Sequence, residues 1–354
     1  MPVSFGRTPA RRLRRATTAL ATALALLATL QFPGAAPAGA QTFSDAELRA
    51  AYRRPAAIPF PADNLHTPER ALLGRTLFFD PRLSGSNLLS CASCHNPSFG
   101  WGDGQPLARG HGMGLLGRRS PTVLNSAWGR LFFWDGRAPT LEAQALGPIA
   151  DPGEMNQPLD GLPAKLAAIP GYRPLFEAAY PGEGVTVQAV ARAIATFQRT
   201  VVAGRSPFDR WVEGDAAAIS PAARRGLDLF HGEARCAACH AGWNFTDERF
   251  HDIGLDTRDT GRGARDPADP HALHAFKTPG LRDTVRRAPY MHNGSLPTLE
   301  AVVVHYETGG TQRPSLSPLM RPLALTPAQR ADLVAFLETL TAPPQDFAAP
   351  ALPR

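Results

Sequence analysis

Lysine is nearly missing from this chain: Lys165 and Lys277 are the only two in 354 residues. A ring of lysines for docking a partner is excluded, and any cationic face must be built of arginine. Charge of one sign is lacking as well, once the first forty residues are set apart. Five of the 37 basic residues and none of the 31 acidic ones fall there, leaving 32 against 31. That balance gives no field for nucleic acid or for an anionic membrane surface. Long apolar runs are short in supply. Ala16 to Leu30 falls below the ~20 residues of a membrane helix. Arg11, Arg12, Arg14 and Arg15 precede it and the small-residue site Ala38-Gly39-Ala40 follows. Residues 1–40 therefore read as an export signal, with Gln41 as the mature N-terminus and no membrane span after cleavage. Strand signals are sparse.

Cysteine is scarce, and its placement is informative. The four cysteines fall in two Cys-x-x-Cys-His runs, Cys91-Ala-Ser-Cys94-His95 and Cys236-Ala-Ala-Cys239-His240. This pattern attaches c-type haem: the thiols form thioethers and the adjacent histidine becomes the proximal iron ligand. Zinc knuckles and redox dithiols explain neither the histidine that follows at once both times nor the leader. Two covalently bound haem c are expected. No cysteine remains for a disulfide, although the compartment is read as a bacterial periplasm. The arginine pairs of the leader invite a twin-arginine reading. The Sec route is preferred because c-type haem is attached to an unfolded chain after export.

The remaining 314 residues exceed one comfortable core. Helical periodicity dominates. Thr67-Pro68-Glu69, Ser220-Pro221 and Thr326-Pro327 each open a helix with a cap and a proline in the first turn, and Val187 to Val202 repeats apolar residues at helical spacing. The expected fold is all-α, with two cytochrome c-like haem domains packed across a haem–haem interface and few or no strands. The boundaries read as 41–205 and 206–341, with a proline-rich, poorly ordered tail at 342–354.

The chain also repeats itself. Gly74-Arg-Thr-Leu-Phe78 precedes the first haem motif and Gly226-Leu-Asp-Leu-Phe230 the second. After them come Gly136-Arg-Ala-Pro-Thr140-Leu-Glu-Ala143 and Gly294-Ser-Leu-Pro-Thr298-Leu-Glu-Ala301, at a constant offset of 158. Each half is thus one haem-binding module whose distal helix starts at Thr140 or Thr298. Seven residues beyond Leu141 and Leu299 stand Pro148 and Tyr306. If these positions lie over the irons, the second haem can take a phenolate ligand. The first faces a proline, which cannot ligate, and is open to a small molecule. That asymmetry marks a redox enzyme rather than a dihaem electron carrier with both irons capped.

With these motifs in order, the chain resembles the bacterial dihaem cytochrome c peroxidases, a family that includes the MauG type of protein-modifying oxidase. The resemblance covers residues 65–340. It rests on Gly110-His111-Gly112, Phe133-Trp134-Asp135-Gly136-Arg137, Gln144, Pro148, Glu154, Phe250-His251-Asp252-Ile253-Gly254 and Ala288-Pro289-Tyr290-Met291-His292-Asn293-Gly294-Ser295. It implies roles position by position. Glu154 matches the acid–base residue that moves a proton between the peroxide oxygens. Gln144 matches the distal amide that contacts bound peroxide, Pro148 the residue shaping the pocket, and Trp134 the indole between the haems. His111, sixteen residues after His95 in a glycine-rich loop, matches the histidine that caps the peroxidatic iron at rest. Tyr306 departs from the peroxidases, which place methionine there, and agrees with the MauG type. Met291, Met320 and His305 are alternative sixth ligands of the second haem.

The family commonly holds calcium between the domains. The matching side chain here is Arg119, with Arg287 and Pro289 at the carbonyl positions, and a cation beside Arg119 is electrostatically unfavourable. An arginine occupying that space is the alternative. His66, His231, His271 and His274 have no spacing that suggests a site, and His251 and His292 read as structural or propionate-contacting. The expected activity is reduction of hydrogen peroxide to water at the first haem, with electrons from a small cytochrome c or a cupredoxin entering through the second. The alternative is a MauG-like oxidation of a partner protein's side chains. Peroxidases of this kind often dimerise, but no homodimer interface is legible.

Overall fold

The protein is described by a computed structural model over residues 43–344 and 346–354. The export signal and Gln41 lie outside the described residues. Eleven α-helices are described, with short 3-10 turns between them: α1 (Asp45–Ala51), α2 (Pro68–Phe79), α3 (Cys91–Cys94), α4 (Leu141–Ala150), α5 (Leu162–Ala167), α6 (Tyr172–Ala179), α7 (Val187–Thr200), α8 (Pro207–Val212), α9 (Pro221–His231), α10 (Leu299–Thr308) and α11 (Pro327–Glu338). Two short antiparallel strands, β1 (Phe250–His251) and β2 (Phe276–Lys277), complete the regular structure. The helix starts follow the capping chemistry. Thr67 accepts from the Arg70 N–H at 3.2 Å, Ser220 from Ala223 at 3.1 Å and Thr326 from Gln329 at 3.2 Å.

Two apolar cores form. Leu73, Leu77, Phe78, Ile149, Phe176, Ile194 and Phe197 build the first, and Phe208, Trp211, Leu227, Phe230, Leu333 and Phe336 the second. Each such side chain contributes roughly 1.5–3 kcal/mol on burial. The repeat is visible in how the helices cross. A Cβ on Gly74 of α2 would stand 1.9 Å from the Ala193 carbonyl oxygen of α7, and one on Gly226 of α9 would stand 2.0 Å from the Asp332 oxygen of α11. Glycine at these two positions is what lets each helix pair approach so closely. The distal helices match as well: Thr140 and Thr298 each cap α4 and α10 through a 3.1 Å bond from Ala143 or Ala301.

The chain ends depart from the expected boundaries. Helix α1, placed by the sequence in the module that starts at 41, buries Leu48 and Tyr52 in the second core. Tyr52 stacks on Phe245 at 4.7 Å and shares a 2.8 Å hydrogen bond with His231 at the end of α9. The tail is packed, not loose. Phe347 stacks on Phe79 at 5.1 Å and meets Trp101 edge-on at 5.2 Å in the first core. Arg82 and the Gly171 N–H hold the Pro353 and Arg354 carbonyls, both at 2.9 Å. Each end of the described chain thus packs on the far module, because its aromatic residue finds an apolar pocket there. Proline content alone had suggested a solvated tail.

Candidate functional site

Both Cys-x-x-Cys-His runs face one continuous cavity of about 670 Å³. Cys94, His95, Cys236, Cys239 and His240 lie on its wall. Each histidine is aimed by the same device. The chain turns back through a left-handed residue, Trp101 (φ 62°) or Phe245 (φ 56°), whose carbonyl approaches the Nδ1 of His95 at 3.2 Å or of His240 at 2.9 Å. Nδ1 then carries the proton and Nε2 is left as the metal-binding nitrogen. Burial lowers the pKa of both rings and keeps them neutral, as iron ligation needs. Burial also raises the Cys91 and Cys236 thiols to about 12. Unpaired thiols, neutral imidazoles and a shared apolar cavity fit two covalently attached porphyrins.

On the first module's distal side α4 presents Gln144 and Pro148 to this cavity, and the turn after it presents Glu154. The Gln144 Oε1 accepts from Gln198 Nε2 of α7 at 3.3 Å, which leaves the Gln144 NH2 as the donor facing inward. Burial, helped by the nearby Asp151 carboxylate, raises the Glu154 pKa, opposed by Arg137. In the second module Tyr306 takes the place of Pro148 one repeat on, and it too lies on the cavity wall. Burial is the main cause of its raised pKa.

Trp134 stands on the cavity wall and is pinned from both halves. Its indole N–H donates to the Arg119 carbonyl at 2.8 Å, and its own carbonyl accepts from Lys277 of β2 at 2.8 Å. Arg118 ties the same region together, bonding Asp135 at 2.9 Å and Asp259 at 2.6 Å. Two of the alternative sixth ligands, Met291 and Met320, also line the cavity. His305 is turned away, its Nε2 bonded to the Ile253 carbonyl at 2.9 Å. His111 is not among the lining residues. It sits in a short 3-10 turn (His111–Met113) whose backbone N–H donates to Gly153 at 2.9 Å.

The residues at the implied calcium position do not fit that ion. The Arg119 guanidinium donates from Nη2 to the Arg287 carbonyl at 2.6 Å, so a cation would meet a buried positive charge on one of its own carbonyl ligands. Sequence reasoning missed Gln198, Arg118 and the carbonyls of Trp101 and Phe245. Gln198 sits in an otherwise apolar helix face, a signal that was readable. Carbonyl contacts leave none, since every residue has one.

Residues 68–217 match the family described as di-haem cytochrome c peroxidase, and residues 223–341 the cytochrome c family. The methylamine utilization protein MauG of Methylorubrum extorquens is 54% identical over 87% of this chain and 88% of its own length. The cytochrome-c peroxidase IdrP1 of Denitromonas iodatirespirans is 39% identical over 80% and 84%. Among solved structures, a MauG-like protein associated with microbial copper homeostasis superposes with a TM-score of 0.75 at 33% identity, over 81% of this chain and 94% of that one. The all-α fold of two haem modules agrees with these relatives. This chain belongs to the dihaem cytochrome c peroxidase family, MauG proteins included, and is an oxidoreductase with two covalently bound haem c.

Proposed function

We propose that this protein uses hydrogen peroxide at the first haem to oxidise side chains of a partner protein, the electrons arriving through the second haem. Peroxide reduction, H2O2 with two electrons and two protons giving two waters, is common to this reading and to the peroxidase reading. They differ in the source of the electrons: a protein substrate, or a small cytochrome c or cupredoxin donor. The observation that carries the choice is Tyr306 on the cavity wall where the first module has Pro148. A phenolate ligand favours ferric and higher iron, whereas a thioether raises the potential and suits electron storage. The likeness to two MauG proteins, at 54% and 47% identity, supports the same reading and makes a methylamine-utilization partner one candidate substrate.

The haems supply the redox chemistry when bound, through Cys91, Cys94 and His95 in the first module and Cys236, Cys239 and His240 in the second. The chain's own residues manage protons and position. Glu154, with its raised pKa, exchanges a proton with peroxide. Gln144, oriented by Gln198, donates its N–H to the bound oxygen. Pro148 keeps a side-chain ligand off the first iron. Trp134, fixed between the modules, provides the aromatic path between them. We assign modules at 41–205 and 206–341, with α1 and the tail exchanged in space, and export to the periplasm through Sec.

The test is the spectral response of the purified holoprotein to one equivalent of hydrogen peroxide, before and after one-electron reduction. Immediate reaction of the fully ferric protein, with both haems changing together, is expected. Reaction of only the half-reduced form overturns the choice: it would make His111 a releasable cap and the protein a donor-dependent peroxidase.

A further inference from the structure

Arg119 and Arg287 are buried side by side, only 6% and 7% exposed, on the wall of the haem cavity. Among the described residues the partners of their side chains are carbonyls. Arg119 reaches Arg287 O at 2.6 Å and Ala288 O at 3.5 Å, and Arg287 reaches Gly280 O at 2.7 Å. The Nε of each is buried and bonds to nothing. Three other cations of the wall are paired, Arg118 and Arg137 with Asp135 and Lys277 with Glu248, and the remaining two arginines, Arg235 and Arg321, are exposed to solvent. The nearby acids are engaged elsewhere, Asp103 by Ser120 and Asp283 by the Ala342 N–H. Among the described residues no carboxylate pairs with either guanidinium.

Two adjacent buried charges of one sign, without a counter-ion, cost several kcal/mol each. Burial and then repulsion from Arg119 push Arg287 down to about 10, which still leaves it charged at neutral pH. The pair is also held firmly in place. The Arg119 N–H donates to the His292 carbonyl at 2.8 Å, and its carbonyl accepts from Trp134. Its backbone is therefore clamped by Trp134 and by His292, the counterpart of Trp134 one repeat on.

We propose that Arg119 and Arg287 form one anion site whose ligand is carboxylate of the bound haems, and that their charge raises the haem reduction potentials. The site performs with fixed guanidinium groups the charge balancing that a metal ion would otherwise perform between the modules. The proposal rests on the two bound haems and is independent of whether electrons come from a protein side chain or a small donor.

The experiment is spectroelectrochemical titration of the holoprotein and of Arg119→Gln, Arg287→Gln and Arg119→Lys, in chloride and in phosphate over a range of concentrations. Loss of one positive charge stabilises ferric iron. The ferrous-to-ferric ratio of at least one haem at fixed solution potential should fall about tenfold in each glutamine variant, equal to ~59 mV for one electron. Arg119→Lys should stay within about threefold, and the parent's potentials should not follow phosphate concentration. Unchanged potentials in either glutamine variant that retains both haems overturn the proposal. So do parent potentials that track phosphate, since the ligand is then a free anion. If Arg119→Gln fails to load haem, Arg287→Gln and Arg119→Lys decide it alone.

Discussion

Replacing Phe347 by alanine should release the C-terminal strap and loosen the first haem's proximal side. Phe347 is half-buried, so its transfer term is about 1 kcal/mol. Its stacking on Phe79 at 5.1 Å and edge contact with Trp101 at 5.2 Å together add roughly 1.5 kcal/mol. Arg75 lies 4.8 Å above the ring, worth another ~0.5 kcal/mol at an exposed site. The sum is about 3 kcal/mol, or near a hundredfold in the opening equilibrium of the strap. Native-state amide exchange and limited proteolysis of the holoprotein read that equilibrium directly. The tail should exchange and be cleaved about a hundredfold faster, and the amides around Trp101, whose carbonyl orients His95, should lose protection with it. Tail exchange within about threefold of the parent would refute the reasoning, because the strap would then be held by its backbone contacts alone.

Further outcomes are expected at Glu154, at two glycines and at Tyr306. Glu154→Gln should slow the reaction of peroxide with the first haem by about 10²–10⁴-fold in stopped-flow while both haem spectra persist. The same variant should be more stable than the parent at neutral pH. The parent's Glu154 pKa is raised above its ordinary value near 4.5, so its favourable contribution is present at low pH and lost as pH rises through the folded value; the advantage of glutamine should vanish in melting curves below about pH 4. Gly74→Ala and Gly226→Ala should each lower the melting temperature, since the new Cβ would meet a carbonyl oxygen at 1.9 or 2.0 Å, an overpacking cost of at least ~1–3 kcal/mol. Tyr306→Met should raise the second haem's potential in redox titration, and an unchanged potential would remove Tyr306 from the iron.

Covalent and local features were determined by the sequence alone. Haem attachment at Cys91, Cys94, Cys236 and Cys239 follows from a five-residue spacing, and the helix starts at Thr67, Ser220 and Thr326 from capping, both of which act within a few residues. The duplicated modules were legible too, because the offset of 158 carries Thr140 onto Thr298 and Pro148 onto Tyr306. The contacts between distant segments were decided only by the tertiary structure. Nothing in residues 45–51 says that α1 belongs to the second core, or in the proline-rich tail that Phe347 reaches the first. The resemblance brings Arg119 and Arg287, 168 residues apart, to one position, but only the structure shows that among the described residues no carboxylate pairs with them there. Their pairing is set by how the modules meet across the cavity, where packing and charge act through space and leave no periodic trace in the chain.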